Sequence, residues 1–288
     1  LLGPTINLHR HPLGGRHFEN YSEDPFLVGK LATAYVKGVQ SKNVSACLKH
    51  FIANDTEFER HTVSSNVDER TLREIYLLPF EMGVKEGKSK SVMSAYNKLN
   101  NIYCSSHKEL LIDILKNEWG FDGYVVSDWG AALETIDNAN GGLDLEMPGP
   151  GNTWGQKLLS AISEGLVKEE IIDDKVKRIL KVGEFSGRFD APKNKPEESN
   201  IRESHNQLLR DVACEGMVLL KNENVLPMDE NKINKLAIIG PNAKNSQIIG
   251  GGSASLKPHY QIHPYDALEK RFSTVSYTHL TLPTKQMV

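Results

Sequence analysis

The stretch Tyr124-Val125-Val126-Ser127-Asp128-Trp129-Gly130 decides the fold class. Its β-branched body predicts a buried strand, and the strand runs into a carboxylate followed by an indole and a glycine. The end of such a strand projects Asp128 into whatever lies above the sheet. The face of Trp129 could then pack on a pyranose ring while the Asp128 carboxylate meets the anomeric carbon. Ser127 and Asp128 are also good helix caps, so these residues alone leave a capping role equally open.

Outward from this stretch, short apolar runs alternate with amphipathic helical stretches up to about residue 187. This alternation predicts an α/β fold with a parallel sheet, open or closed. The predicted strands are 2–8, 44–50, 91–96, 124–127 and 142–146. The predicted helices are 26–40, 69–85, 107–118, 131–139, 154–164 and 168–185. A complete (β/α)8 barrel needs three more strands, so we expect an incomplete TIM-like barrel over residues 1–187.

A second unit is predicted after a polar linker rich in Pro and Lys at 188–204. A helix at 205–216 and strands at 217–220 and 236–240 indicate the start of an α/β sandwich domain, which we place at 205–273. From about Thr274 the sequence resembles the translation of a sequencing adapter, so we expect 274–288 to be an artefactual tail outside the fold. The chain also opens within an apolar run without Met, and we therefore expect a fragment of a longer protein.

The composition indicates an ordinary globular protein. Of its 288 residues, 39% are hydrophobic and 25% are charged, and the formal net charge is -3. Acids and bases are mixed along the chain, which gives no argument for nucleic acid or an anionic membrane as a partner. No apolar run reaches the length needed to cross a bilayer. Cys47, Cys104 and Cys214 lack metal-ligand spacing, so they are predicted to be buried free thiols.

Polar and ionisable side chains follow every predicted strand of the first unit. In a (β/α)8 barrel the reactive groups lie at the carboxyl ends of the strands, so these positions are the candidates for a site. The groups are His9-Arg10, Lys49-His50, Tyr96-Asn97, Ser127-Asp128 and Asp144 with Glu146.

Several separate motifs occur along the chain in one order. They are Gly-Gly-Arg-His-Phe-Glu at 14–19, Lys-His-Phe at 49–51, Met-Ser-Ala-Tyr-Asn at 93–97, Ser-Asp-Trp at 127–129, Ile-Gly-Pro-Asn-Ala at 239–243 and Gly-Gly-Gly-Ser-Ala-Ser at 250–255. With these motifs the chain resembles glycoside hydrolase family 3, and within it the β-glucosidases that carry an inserted protective-antigen-like domain. The resemblance implies a retaining, exo-acting β-glucosidase that acts on terminal β-D-glucosyl residues of glucosides or oligosaccharides and needs no cofactor or metal.

The resemblance also implies roles for individual residues. Asp128 matches the nucleophile, which must be ionised and therefore needs cationic or hydrogen-bonding neighbours to hold its pKa down. The residues implied to bind substrate are Arg16, Lys49, His50, Met93, Tyr96 and Trp129. The acid/base of the family is a Glu of the second domain that matches no residue here, so this chain is expected to be inactive on substrates with poor leaving groups.

Alternatives stay open for several of these residues. Arg16 could instead form a surface ion pair with Glu19 or Asp24. Lys49 and His50 are neighbours on a strand and should point to opposite faces, unless the strand ends or bends there.

Five further residues have a structural role as the expectation or as the alternative. The alternatives for Met93 and Trp129 are core packing. Asp144 and Glu146 could be read as a second catalytic carboxylate, but the family treats this stretch as barrel structure. Glu57 is expected to be a solvated loop residue.

Other functions also remain. A β-xylosidase of the same family would share the nucleophile, and a non-catalytic carbohydrate-binding protein is a further alternative. The β-N-acetylglucosaminidases are disfavoured because Lys-His-Phe at 49–51 is not followed by Pro-Gly-His. A nucleotide-binding protein is disfavoured because the glycines at 250–252 lie too far from the strand at 236–240. Compartment and oligomeric state are not decided by the sequence.

Overall fold

The computed structural model describes residues 1–191, 196, 198–272 and 275–278. The chain divides into two compact units, Leu1–Asn194 and Lys195–Val288. Their boundary falls within the stretch predicted as a linker, of which residues 192–195 and 197 lie outside the described residues. Among the helices of the described part, none is both long and apolar enough to cross a membrane.

The first unit is a mixed α/β structure. Its strands in chain order are β1 (Cys47–Phe51), β2 (Ser64–Ser65), β3 (Ser91–Ser94), β4 (Lys98–Leu99), β5 (Ile102–Tyr103) and β6 (Tyr124–Ser127). Its α-helices are α1 (Pro25–Gln40), α2 (Glu69–Thr71), α3 (Leu78–Lys85), α4 (Thr135–Gly141), α5 (Gln156–Ser163) and α6 (Glu169–Phe185). Wider π-type helical turns occupy Leu72–Leu77 and Glu109–Glu118.

The main sheet of this unit is parallel, with strand order β1-β3-β6. Both edges are extended by single parallel bridges, from Thr5 to Lys49 on one side and from Val126 to Leu145 on the other. All five segments predicted as strands therefore lie side by side in chain order. Strands β2, β4 and β5 form a separate small sheet beyond the end of β3.

Both faces of the main sheet are buried, as is usual for parallel strands. Side chains at alternate positions, among them Leu48, Val92 and Val125, belong to the large core that also holds apolar residues of the helices. On the opposite face, Cys47 and Val126 pack in a second, smaller cluster together with Met93. Because side chains alternate along a strand, Asp128 continues the face on which Val126 lies.

Helices α1 and α3 pack with β1 in the large core. The Asp24 carboxylate caps α1 by accepting the Phe26 N–H at 2.8 Å, and Pro25 occupies the first turn. A Cβ atom added at Gly83 of α3 would lie 2.7 Å from the Leu48 side chain, so this glycine lets the helix approach β1. Asp24 is therefore occupied as a helix cap, so of the two partners predicted for Arg16 only Glu19 is available.

The second unit departs from the sequence prediction at one strand and one cysteine. It contains α7 (Glu203–Gly216), β7 (Leu236–Ile239), α8 (Pro264–Arg271) and β8 (Val275–Thr278). The predicted strand at 217–220 is wrong, because these residues pair with no strand in the described part of the chain and Leu220 is 92% exposed. Cys47 and Cys104 are buried free thiols as predicted, whereas Cys214 is exposed on α7.

Four residues of the predicted artefactual tail form part of a sheet. Val275–Thr278 pairs in parallel with Leu236–Ile239, so the prediction that the fold ends before Thr274 does not hold for them. Residue 274 and residues 279–288 lie outside the described residues. The origin of this stretch as an adapter translation stays a prediction.

Candidate active site

Asp128 lies directly beyond β6 and is 8% exposed. Its backbone N–H donates to the Ser94 carbonyl at 3.1 Å, which extends the pairing of β6 with β3 by one residue. Its Oδ1 atom accepts the Trp129 N–H at 2.8 Å. The next helix, α4, begins only at Thr135, after Glu134. Asp128 is therefore a buried carboxylate at a strand end and does not cap a following helix.

The second oxygen of Asp128 faces His50. The Nε2 atom of His50 lies 3.4 Å from Oδ2 of Asp128, and His50 is 1% exposed. Among the described residues, Oδ2 has no hydrogen-bond partner. Burial, followed by the positive charges of Arg16, Lys49 and Arg60, lowers the pKa of His50 well below its usual range. The imidazole is therefore neutral at physiological pH.

Three contacts on the other side of His50 hold it in place. The Nδ2 atom of Asn7 donates to the His50 carbonyl at 2.9 Å, and the His50 N–H donates to Oδ1 of Asn7 at 2.9 Å. The Nδ1 atom of the imidazole lies 3.1 Å from the same Oδ1. Asn7 is itself 4% exposed, so one buried amide aligns both the main chain and the ring of His50.

Arg16 and Lys49 share one carboxylate. Nε of Arg16 lies 2.5 Å from Oε1 of Glu19, and Nζ of Lys49 lies 3.8 Å from Oε2. The Thr5 hydroxyl donates to Oε2 at 2.6 Å. Burial raises the pKa of Glu19, but the hydrogen bonds from Thr5 and Arg16 and the charges of Arg16 and Lys49 outweigh it and lower the pKa. Arg16 thus pairs with Glu19 as the alternative proposed, but with a side chain only 17% exposed.

The pKa of Asp128 is raised, which is the opposite of the direction expected from the sequence. Burial is the largest cause, and it outweighs the Trp129 N–H, Arg16, Tyr96 and Lys49, all of which favour the charged form. The expected neighbours are thus present, but they do not fully compensate for the loss of water around a carboxylate in this position.

Lys49 and His50 serve the same region although they are consecutive. The register of β1 against β3 shifts between Leu48 and Phe51, so the regular alternation of side chains is interrupted at this pair. Lys49 reaches Glu19 while His50 reaches Asp128. Both residues were predicted to act together only if the strand ends or bends there, and the irregularity in β1 meets this condition.

Tyr96 and Trp129 border Asp128 on another side. The Tyr96 hydroxyl donates to the Trp129 carbonyl at 2.9 Å, and burial with the nearby Asp128 charge raises the pKa of Tyr96 to about 12. The Arg60 guanidinium lies 4.5 Å from the centroid of the Tyr96 ring, and the His61 ring meets it edge-on at 4.5 Å. Trp129 is 40% exposed, so the alternative of a core aromatic does not hold for it.

Met93 packs beneath this group of residues. It is 2% exposed, lies opposite Val126 in the register of β3 and β6, and clusters with Val126 and Cys47. Asp128 lies two positions beyond Val126 on the same face. Met93 thus forms part of the apolar floor, which agrees with the alternative of core packing.

Asp144 belongs to a buried ion cluster away from Asp128. Its side chain is fully buried, and Oδ1 lies 2.7 Å from Nζ of Lys116 and 3.9 Å from Nζ of Lys175. Its Oδ2 atom accepts the Val125 N–H at 2.7 Å. These contacts tie the edge segment of the sheet to β6, so Asp144 has a structural role.

Glu146 organises the loops behind Trp129. Its carboxylate accepts the main-chain N–H groups of Asn152, Thr153 and Trp154 at 3.1, 3.0 and 2.9 Å. The Thr153 hydroxyl also donates to this carboxylate, at 2.5 Å, and the Thr153 carbonyl accepts the Thr135 hydroxyl at 2.6 Å, which joins this turn to the start of α4. Glu146 is therefore also structural.

Three residues of the site, Asn7, Arg60 and His61, were not predicted from the sequence. Asn7 is a polar residue inside a predicted buried strand, and that mismatch was the available signal. The loop after β1 carried no pattern that placed Arg60 and His61 on Tyr96. Glu57 was expected to be a solvated loop residue. Its Oε2 atom lies 2.5 Å from Nη1 of Arg60 and its Oε1 atom lies 3.9 Å from Nη1 of Arg16, so its carboxylate links the two cations.

Two family models match the chain. Residues 1–182 match the glycosyl hydrolase family 3 N terminal domain, and residues 217–286 match the glycosyl hydrolase family 3 C-terminal domain. A β-glucosidase of Rhizobium radiobacter is 48% identical over 276 residues, which are 96% of this chain and 34% of that protein. A probable β-glucosidase I of Aspergillus niger is 46% identical over 290 residues, which cover 98% of this chain and 35% of that protein. The chain thus spans about a third of the length of the curated relatives it matches.

Solved structures give the same result. The crystal structure of Se-Met labelled β-glucosidase from Kluyveromyces marxianus has a TM-score of 0.90 at 42% identity, covering 96% of this chain and 35% of that one. The structure of β-glucosidase 3B from Thermotoga neapolitana in complex with α-D-glucose has a TM-score of 0.87 at 43% identity, and the match covers 96% of this chain and 39% of that one. The family match over 1–182 includes every residue of the site described above. The chain therefore belongs to glycosyl hydrolase family 3.

Proposed function

We propose that the chain carries the nucleophile and part of the sugar-binding site of a retaining β-glucosidase, with Asp128 as the nucleophile. The observation that carries the proposal is the geometry of its carboxylate. Oδ1 is held by the Trp129 N–H at 2.8 Å, while Oδ2 has no hydrogen-bond partner among the residues described. A buried carboxylate oxygen without a protein partner is available to a ligand atom.

The same geometry supports a covalent mechanism. Oδ2 of Asp128 attacks the anomeric carbon, the bond from that carbon to the leaving oxygen breaks, and a glycosyl ester forms on Asp128. Water then cleaves the ester and restores the carboxylate. A second carboxyl group protonates the leaving oxygen and later activates the water. We do not assign that proton donor to a residue of this chain.

Cationic and polar side chains around Asp128 fit a sugar ring. Arg16, Lys49 and His50 can form hydrogen bonds with ring hydroxyls, and the half-exposed indole of Trp129 offers an apolar face to a pyranose. The substrate class is a β-glucoside or a β-linked glucooligosaccharide. This choice is supported by the names of the relatives, which are β-glucosidases at 46–48% identity.

We also infer two finer assignments. The parallel segments that run from Thr5 to Leu145 in chain order support an incomplete (β/α)8 barrel, with Asp128 at the carboxyl end of one of its strands. The motifs at 239–243 and 250–255 support membership of the β-glucosidase subgroup with an inserted protective-antigen-like domain.

Mechanism-based labelling tests the proposal. The 288-residue chain is incubated with 2,4-dinitrophenyl 2-deoxy-2-fluoro-β-D-glucoside, whose leaving group needs no protonation. Peptide mapping by mass spectrometry should locate one fluoroglucosyl ester on Asp128. The Asp128→Asn variant should stay unlabelled, and Asp122→Asn, which changes an exposed aspartate paired with Lys181, should be labelled like the parent. Label on another residue, or none, would contradict the proposal and favour a binding function.

A further inference from the structure

We propose that Asn7 is a positioning residue that fixes His50 in the tautomer with hydrogen on Nδ1, which makes Nε2 a hydrogen-bond acceptor facing Asp128 and any bound ligand. The assignment of the tautomer stands on geometry within this chain. The statement that the ligand is a sugar hydroxyl rests on the proposed function.

The orientation of the Asn7 amide is fixed by the main chain of His50. A backbone N–H can only donate, and it lies 2.9 Å from the atom assigned as Oδ1. A backbone carbonyl can only accept, and it lies 2.9 Å from the atom assigned as Nδ2. Exchanging the two amide atoms would place donor against donor and acceptor against acceptor. The two main-chain contacts therefore decide which atom is the oxygen.

The imidazole tautomer follows from this orientation. Nδ1 of His50 lies 3.1 Å from Oδ1 of Asn7, and an amide oxygen carries no hydrogen. Nδ1 must therefore carry the hydrogen of the neutral ring. His50 is 1% exposed, and the cations Arg16, Lys49 and Arg60 act on it, so a second proton on the ring is disfavoured. The lone pair of Nε2 then points toward Asp128.

Two acceptors consequently face each other across 3.4 Å, Nε2 of His50 and Oδ2 of Asp128. When Asp128 is ionised, no hydrogen atom lies between them, and their lone pairs repel. A ligand hydroxyl that donates to Nε2 relieves this repulsion, whereas a ligand acceptor at the same point would add to it. The site is thereby selective for a ring hydroxyl that acts as a donor to His50, and Asn7 provides this selectivity without touching the ligand.

Nitrogen NMR tests the tautomer directly. In the full chain labelled with ¹⁵N-histidine, a long-range ¹H–¹⁵N spectrum distinguishes a protonated ring nitrogen from one with a free lone pair. The His50→Gln variant assigns the signals, because it removes only those of His50. We expect a protonated Nδ1 and an unprotonated Nε2 near neutral pH. A spectrum that shows hydrogen on Nε2 alone would overturn the proposal.

Variants of Asn7 separate positioning from mere stability. Asn7→Ala should move the hydrogen from Nδ1 to Nε2, because the Asp128 carboxylate is then the best remaining acceptor. Asn7→Asp keeps an acceptor oxygen and should keep Nδ1 protonated. Asn97→Ala is the matched control, since Asn97 is also a buried asparagine that donates to main-chain carbonyls, those of Ile52 at 3.1 Å and Lys98 at 3.0 Å. It should leave the His50 signals unchanged.

Each outcome decides the proposal. If Asn7→Ala keeps the tautomer of the parent, or if Asn97→Ala shifts it as much, Asn7 does not position His50. If Asn7→Ala does not fold, the spectra of the parent and of Asn7→Asp still decide, because both must show hydrogen on Nδ1. The readout does not depend on labelling of Asp128 by the fluorosugar, so failure of the proposed function would leave the tautomer result standing.

Discussion

Glu19 holds Arg16 at 2.5 Å through one carboxylate oxygen and offers the other to Lys49 at 3.8 Å. One partly buried anion thus sets the separation of two cations whose charges act on Asp128. The cluster carries a net positive charge when Glu19 is ionised, and this charge acts on both His50 and Asp128. Removing the negative charge of Glu19 should therefore lower the stability of the folded chain.

We expect Glu19→Gln to lower the free energy of unfolding by about 1–3 kcal/mol, because two partly buried cations lose their charged partner. Denaturant titration at pH 7 measures the loss. Glu23→Gln, at an exposed position nearby, is the control and should change stability by less than about 0.5 kcal/mol. Equal stability of the two variants would show that the Glu19 cluster contributes nothing.

Asp128→Asn should stabilise the chain at pH 7, by about 1 kcal/mol, since the new amide can donate to Nε2 of His50 and no charge is buried. The folded pKa of Asp128 is raised. The carboxyl group thus imposes no charge penalty below its unfolded pKa of about 3.9, and the penalty grows as pH rises through the folded pKa. Unfolding at pH 4 and pH 7 should show the smaller difference at pH 4. A less stable Asn variant at pH 7 would contradict the account of this site.

We expect the buried Lys175 to make the stability of the chain increase with pH in the alkaline range. It is 4% exposed, and burial lowers its pKa to about 8 despite the charge of Asp144. Below pH 8 it is charged in both states and the burial penalty is present in full. Between pH 8 and about 10.5 the folded state loses this proton first, so stability should rise by up to about 3 kcal/mol. Unfolding as a function of pH measures this rise.

The Lys175→Met variant should lose most of that increase, because only the smaller contribution of Lys116, whose pKa burial also lowers, is left. Lys177→Met changes an exposed lysine of the same helix and should retain the increase. If stability of the parent is flat across this range, or if both variants behave alike, the buried ammonium group does not control it.

Gly123, which directly precedes β6, lies very close to the main chain of Lys90. A Cβ atom at Gly123 would lie 2.1 Å from the Lys90 carbonyl oxygen, which is main chain and cannot move aside cheaply. Gly123→Ala should therefore destabilise the chain by about 3 kcal/mol or more. Gly38→Ala, in α1 with open space around it, should instead stabilise by about 0.5–1 kcal/mol. Thermal melts of the two variants should move in opposite directions.

The fold of the first unit could be predicted because its signals are local. The alternation of apolar runs and amphipathic stretches placed each parallel segment, and the position of Asp128 after Tyr124–Ser127 placed the carboxylate at a strand end. The predicted strand at 217–220 is wrong because an apolar run forms a strand only where a neighbouring strand supplies hydrogen bonds. That partner is not encoded in the run itself.

The site was predicted less completely because its contacts are long-range. Asn7 meets His50 across 43 positions of sequence, and no local pattern pairs them. The direction of the Asp128 pKa depends on burial, which a motif does not reveal. Lys49 and His50 could be placed together only through the irregular register of β1. The sequence thus indicated most of the residues that meet at the site, but it did not predict that burial outweighs the neighbouring charges at Asp128.

The turn held by Glu146 has a consequence for recognition. The Gly130 N–H donates to the Met147 carbonyl at 2.8 Å, and the Thr135 hydroxyl donates to the Thr153 carbonyl at 2.6 Å. The wall that carries the Trp129 indole is therefore assembled during folding and does not wait for a ligand. A ligand that stacks on the Trp129 indole meets a surface already in its final conformation, so little binding free energy is lost to ordering of the loop.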